Sequence, residues 1–276
     1  MSYLEYIGQN ADRIGRERQE PFTLEGLYGA KMDRLRAINN PFFQLRIDEL
    51  MGIPLTRDAV KESFERSTYT GFVATMLWGG LGLAYWRQLE AAMTIDKPEV
   101  EYKIYRIQNF LEEDRIQDAF LSLQLPTDNA QSNKFQGIDI SYFTKLLYFL
   151  YKGKSQAPPI IFDKWGTFIH AGILISLNEI EVLNSYYKLG YNTKGRFYIS
   201  IKSNQLTGYR SRVYEDYLLR MSRISKEYQI PHPGYLEEFL FGKDLQHNEN
   251  KVDSNPRYFV YNYVKNSFDN GYAHSR

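Results

Sequence analysis

Residues 137–163, GIDISYFTKLLYFLYKGKSQAPPIIFD, constrain this chain more than any other stretch. Gly137 can take the positive φ of a tight turn, and Asp139 or Ser141 can cap the helix that follows. On that helix Phe143, Leu146, Leu147 and Leu150 keep the i, i+3, i+4, i+7 spacing of a core-facing stripe. Lys145 falls on the adjoining face, with Tyr142 and Phe149. Gly153 ends the helix, and Pro158-Pro159-Ile160-Ile161-Phe162 makes a stiff, apolar, extended approach. Asp163 then stands 18 positions after Lys145, where it can cap a further helix.

Each part of this order suits a chemistry. Free N–H groups at a helix start donate to a phosphate without needing a side-chain cation. A lysine packed among rings holds its proton less tightly, and the neutral amine is the form that attacks carbon. A carboxylate held by backbone donors keeps its direction and can stabilise positive charge developing on a sugar. A solvated helix lysine and a purely structural cap are the competing readings of Lys145 and Asp163.

Composition narrows the classes further. With 276 residues and 43% apolar content, the chain can bury a sizeable core in one large domain or two lobes. It has no cysteine, which excludes disulfide scaffolds, thiolate zinc sites, Cys-ligated iron–sulfur clusters and a cysteine nucleophile. His170, His232, His247 and His274 show no metal-ligand spacing, so neither metal nor cofactor is expected. Gly79-Gly80-Leu81-Gly82 lacks the Lys-Ser/Thr of a phosphate loop.

The net charge of +1 hides an uneven distribution: −5 over residues 1–130, +7 over 131–230 and −1 over 231–276. A local basic surface matters more for nucleic-acid affinity than the overall balance, and the basic third contains residues 137–163. The N-terminus lacks the apolar core of a signal peptide, which points to the cytoplasm. Residues Ser67 to Trp86 carry no charge, yet their glycines and hydroxyl side chains favour a buried helix ending in a Gly-rich turn over a membrane span.

Periodicity predicts a mainly α fold. Helices are expected over 24–38, 43–51, from Thr56 or Asp58 to about Thr68, 70–78, 83–93, 99–112 and 114–123. After residue 163, a helix from Trp165 towards Ile180 is expected, then a short strand at 196–201 and helices over 210–228 and 235–241. The break at residues 125–129 suggests an N-terminal helical lobe over 1–125, a second lobe over 126–243 and a weakly specified tail over 244–276.

The segment SYFTKLLYFL followed by PPIIFDKW resembles the helix-hairpin-helix DNA glycosylase superfamily, and most closely bacterial proteins with an 8-oxoguanine glycosylase fold. GFVATMLWGG at 71–80 and YLEEFLFG at 235–242 are similar to the same group. The resemblance implies two helical lobes with a cleft between them, and double-stranded DNA as partner. It also implies Lys145 as the nucleophile towards the sugar carbon and Asp163 as its assistant. Expected DNA contacts are Gly137, Asp139, Ser141, Lys164, Arg210 and Arg212, with Trp165, Tyr142 and Trp78 for the base pocket. The implied function is a DNA glycosylase, with or without lyase activity, in repair or in defence against foreign DNA; a monomer is expected. The alternative is a non-catalytic DNA-binding or interaction protein that keeps the fold. Gly137 lies eight residues before Lys145, a longer hairpin than the usual Gly-x-Gly pattern. Trp165 stands where relatives often carry histidine.

Overall fold

The computed structural model describes residues 1–16, 30–79, 86–126, 128–202, 208–239 and 255–271. The chain forms two compact units, Met1–Glu20 with Ile160–Arg276, and Pro21–Pro159. The division therefore falls inside the proline tether and not near residue 125. It assigns the helix bearing Lys145 to the middle of the chain, and Asp163 to a unit built from both chain ends.

The first helix, α1 (Tyr3–Gln9), belongs to the discontinuous unit and starts in a full capping box between Ser2 and Glu5. The middle unit holds α2 (Ala30–Arg36), α3 (Pro41–Leu50), α4 (Arg57–Arg66), α5 (Thr68–Trp78), α6 (Trp86–Met93), α7 (Lys97–Glu112), α8 (Ile116–Ser122) and α9 (Ile140–Leu150). Local chemistry sets several of these starts. Asn40, Thr56 and Ser67 each accept a backbone N–H of the first turn, and Pro41 occupies a position where its missing N–H costs nothing. Ser67 is the reason α4 ends before Thr68, since it is already committed as the next cap. Tyr69 through Leu77 of the uncharged α5 are all buried, and no helix among the described residues is long and apolar enough to cross a membrane. Beyond Gly79 the expected Gly79–Gly82 turn lies outside the described residues, as do residues 24–29 of the helix expected over 24–38, whose remainder holds α2.

The other unit continues with α10 (Lys164–Ser176), α11 (Ile180–Tyr186), β1 (Tyr187–Tyr191), β2 (Phe197–Ile201), α12 (Tyr209–Glu227), α13 (Gly234–Phe239) and α14 (Pro256–Asp269). The expected strand at 196–201 is the second arm of an antiparallel hairpin whose first arm was not foreseen. The tail, expected to be weakly specified, contains α14, capped by Asn255 with Pro256 in the first turn. Both chain ends pack on α10. Gly172 leaves room on that helix for Tyr3 of α1, whose ring lies 2.8 Å from where a β-carbon would stand, and for Val260 of α14 at 3.3 Å. Tyr6 stacks on Phe259 at 3.9 Å, which closes α1 onto α14.

Buried polar groups tie the same unit together. His170, fully buried in α10, has one ring nitrogen 2.8 Å from the Tyr187 hydroxyl and the other 3.0 Å from Asp216. Asp216 also accepts from Arg220, which forks onto Glu179 at 2.6 and 3.1 Å. Burial lowers the His170 pKa despite the carboxylate, and the donors from His170 and Arg220 lower that of Asp216 against its own burial.

Candidate active site

In the middle unit the chain leaves α8, loops back and enters α9. Asn133 stitches this long connection to α8: its backbone N–H donates to Ser122 O at 2.8 Å and its side-chain amide to Ser122 Oγ at 2.9 Å. Gly137 has φ 81°, the left-handed conformation that glycine adopts without strain. Asp139 occupies the N-cap position of α9, but its side chain makes no capping bond. Ser141 does not cap either. It lies in the first turn, where Lys145 Nζ donates to its Oγ at 2.8 Å and to its carbonyl at 3.2 Å.

Lys145 is only 4% exposed. Its Nζ lies 5.2 Å from the Tyr142 ring centre, within cation–π range. The end of α5 closes over the pair: a β-carbon on Gly79 would stand 2.6 Å from the Tyr142 ring and 3.3 Å from Lys145 Cδ. The GFVATMLWGG stretch and the lysine helix are thus brought into contact, and glycine is the residue that permits it. Trp78, also expected at a base pocket, sets its ring edge-on to Phe149 at 5.2 Å. The Arg57 guanidinium lies 5.1 Å from the Trp78 ring and 5.2 Å from that of Tyr148.

In the other unit the tether is held as expected, and held firmly. Ile160, Ile161 and Phe162 are buried, and two tyrosines one turn apart on α12 donate to the tether backbone. Tyr214 reaches Ile160 O at 3.0 Å and Tyr217 reaches Ile161 O at 3.3 Å. The Tyr217 ring stacks on Phe162 at 4.6 Å. Asp163 follows as the N-cap of α10, its Oδ1 accepting from Trp165 N at 2.8 Å and Gly166 N at 3.2 Å. One oxygen takes both capping bonds, and Oδ2 accepts none among the described residues.

Beside this cap is a cavity of about 290 Å³ lined by Lys164, Trp165, Asn255, Arg257, Tyr258 and Tyr261. The caps of two helices, Asp163 of α10 and Asn255 of α14, adjoin it, so the positive ends of two dipoles converge there. Two cations lie within reach of the Trp165 ring, Lys164 Nζ at 5.2 Å and Arg257 Cζ at 5.3 Å. Burial pulls the Arg257 pKa down while Asp163 and Glu237 hold it up, so both carboxylates act on this guanidinium. Glu237 is fully buried and comes from the YLEEFLFG stretch. Burial, Glu237 and Asp163 together push the Tyr217 hydroxyl well up, which keeps it a neutral donor to the tether.

Of the expected residues, the structure groups Gly137, Asp139, Ser141, Tyr142 and Lys145 around the start of α9, and Asp163, Lys164 and Trp165 around the start of α10. Arg210 and Arg212 lie in the first turn of α12, after Gly208 with φ 83°, half-buried and exposed respectively. The residues not foreseen are Glu237, Asn255, Arg257, Tyr258 and Tyr261. Asn255-Pro256 was a readable helix start, but nothing in the sequence tied it to residue 163.

Residues 49–241 match the family described as "Putative 8-oxoguanine DNA glycosylase OGG-like protein". The match spans both Lys145 and Asp163 and stops short of α14. No curated protein and no solved structure matches the chain.

Proposed function

Because the chain belongs to the OGG-like 8-oxoguanine DNA glycosylase family, we propose that it is a DNA N-glycosylase that removes a damaged or modified base turned out of the duplex. The observation that carries this reading is the burial of Lys145, 4% exposed in the helix that follows the Gly137 turn. A lysine on a solvated helix face would hold its ammonium in water, and lysines are almost never so buried unless a partner holds them.

Lys145 is assigned the attack on the sugar carbon. Its neutral amine forms a bond to C1′ and the base departs with the electron pair of the N-glycosidic bond. The sugar ring then opens as the amine becomes a Schiff base, which eliminates the 3′ phosphate in a bifunctional enzyme. Ser141 Oγ, 2.8 Å from Nζ, can orient the amine. Asp163, fixed by its capping bonds, is assigned the stabilisation of positive charge on the sugar through its open Oδ2. In an enzyme without lyase activity, the same carboxylate would activate water instead.

The lining of the cavity beside Asp163 supports nucleotide binding. Lys164, Arg257 and two helix N-termini offer charge to a phosphate, while Trp165, Tyr258 and Tyr261 offer faces to a sugar or base. Repair of the cell's own DNA and attack on foreign DNA would both use this chemistry.

The test is borohydride reduction on duplexes that each carry one modified base. A covalent adduct is expected with wild type and not with Lys145→Gln. Trapping that is unchanged in the variant would remove the lysine mechanism. DNA binding with no base release from any substrate would favour the non-catalytic alternative.

A further inference from the structure

The β1–β2 hairpin carries a feature that the site above does not use. In its register Tyr187 pairs with Ile201, Lys188 with Ser200 and Gly190 with Tyr198. Partner numbers thus share parity, and side chains alternate across a strand, so all odd-numbered residues face one side and all even-numbered residues the other. The odd face is the core face, with Tyr187, Phe197 and Ile199 buried. The even face holds Lys188, Tyr198 and Ser200 on the strands and Arg196 and Lys202 at their ends, with Lys194 in the turn between them. The tyrosine ring lies across Gly190, 3.6 to 3.8 Å from where a β-carbon would stand.

Residues 187–202 contain four cations and no carboxylate. Lys188, Lys194, Arg196 and Lys202 are exposed, and none pairs with a carboxylate among the described residues. Some cations elsewhere do pair: Lys103 with Glu99, Arg115 with Asp118 and Lys265 with Asp269. The hairpin turn is also pre-set. Asn192 Oδ1 accepts from Lys194 N at 2.9 Å and Arg196 N at 3.0 Å, and Gly195 takes φ 68°. Five strand residues rise roughly 17 Å, which separates a cation pair at the base from one at the tip.

An aromatic ring among unpaired cations on a rigid two-stranded ribbon suits a polyanion with flat, partly apolar units. We propose that the outer face of the β1–β2 hairpin is a second DNA-binding surface. It grips backbone phosphates through Lys188, Lys194, Arg196 and Lys202 and packs a sugar or base on Tyr198. This rests on the reading that DNA is the substrate, and it adds a contact that neither Lys145 nor Asp163 supplies.

The experiment is fluorescence anisotropy of a labelled duplex over a salt series, with the full chain and with the variant K188Q/K194Q/R196Q/K202Q. All four positions are exposed, so the variant is expected to melt with wild type. Its affinity at low salt should fall at least about tenfold, and the slope of log K against log salt should shrink by about 0.9 for each phosphate no longer neutralised. The control K265Q/R115Q, which removes paired cations, should change neither. Unchanged affinity and slope in the hairpin variant, with wild type binding DNA, would overturn the hairpin proposal and leave the glycosylase reading intact. A wild type that binds anionic vesicles and no DNA would overturn both.

Discussion

Lys145 Nζ lies 2.8 Å from Ser141 Oγ, one helical turn back on α9 and out of water. A buried amine next to a hydroxyl contributes less to stability than an apolar chain of equal volume would, which is the pattern of a group kept for chemistry. Lys145→Met is therefore expected to unfold in urea within about 1.5 kcal/mol of wild type, or above it, because Met conserves volume and needs no acceptor. The same variant should give no borohydride adduct. A variant that loses several kcal/mol would make Lys145 a structural residue.

Asp163 combines a cap with a candidate charge, and the two separate by substitution. Asn caps as well as Asp, so Asp163→Asn should hold its melting temperature close to wild type while base release falls by about 10²-fold or more. Asp163→Ala should lose activity and also roughly 1 kcal/mol of stability. Full activity in the Asn variant would leave Asp163 as a cap alone.

Gly166 permits the first turn of α10 to sit on the tether. A β-carbon there would meet the Phe162 ring at 2.8 Å and the Ile161 carbonyl oxygen at 3.2 Å. The ring can yield; the backbone oxygen, already accepting from Tyr217, has less freedom. Gly166→Ala is expected to cost roughly 1–3 kcal/mol, read by thermal unfolding, even though alanine is the better helix former.

Acid should weaken the fold in a defined order. Burial lowers the His170 pKa, so the unfolded chain binds that proton more readily than the native one. The His170 contribution is complete above the ordinary value of about 6.5 and is lost as pH falls below it towards the folded value. Asp216 is also lowered, so its contribution is lost at more acid pH, below about 3.8. Urea unfolding at pH 7 and pH 5 should show a smaller drop in His170→Gln than in wild type; equal drops would place the titration elsewhere.

Arg257 connects α14 to the proposed nucleotide pocket. Losing one charge-assisted hydrogen bond to a phosphate costs about 1.5–3 kcal/mol, so Arg257→Gln should weaken duplex binding about tenfold or more. Trp165, 5.3 Å from this guanidinium, should show altered fluorescence when DNA binds to wild type. Unchanged affinity in the variant would detach α14 from the site.

Most helices were legible because their signals are local. Asn40, Thr56 and Asp163 mark starts by side-chain chemistry, and Phe143, Leu146, Leu147 and Leu150 repeat every turn. The C-terminal α14 was not, because Val260 and Val264 are its only buried apolar residues beyond Pro256 and the rest of the helix is polar or aromatic. The first hairpin arm hid for a similar reason: Tyr187-Lys-Leu-Gly-Tyr191 alternates too briefly to stand apart from the helix before it.

By itself, the sequence determined a mainly helical protein, the cap at Asp163, the glycine turn before α9 and the exclusion of cysteine chemistry. Each of these depends on interactions within a few residues or on composition. Only the tertiary structure decided that Lys145 is buried, because the glycine that covers it lies 66 positions earlier, at the end of α5. Only it decided that both chain ends close on α10 and that α14 brings Arg257 to Asp163. Such pairings depend on which distant surfaces exclude water together, and no local spacing encodes that choice.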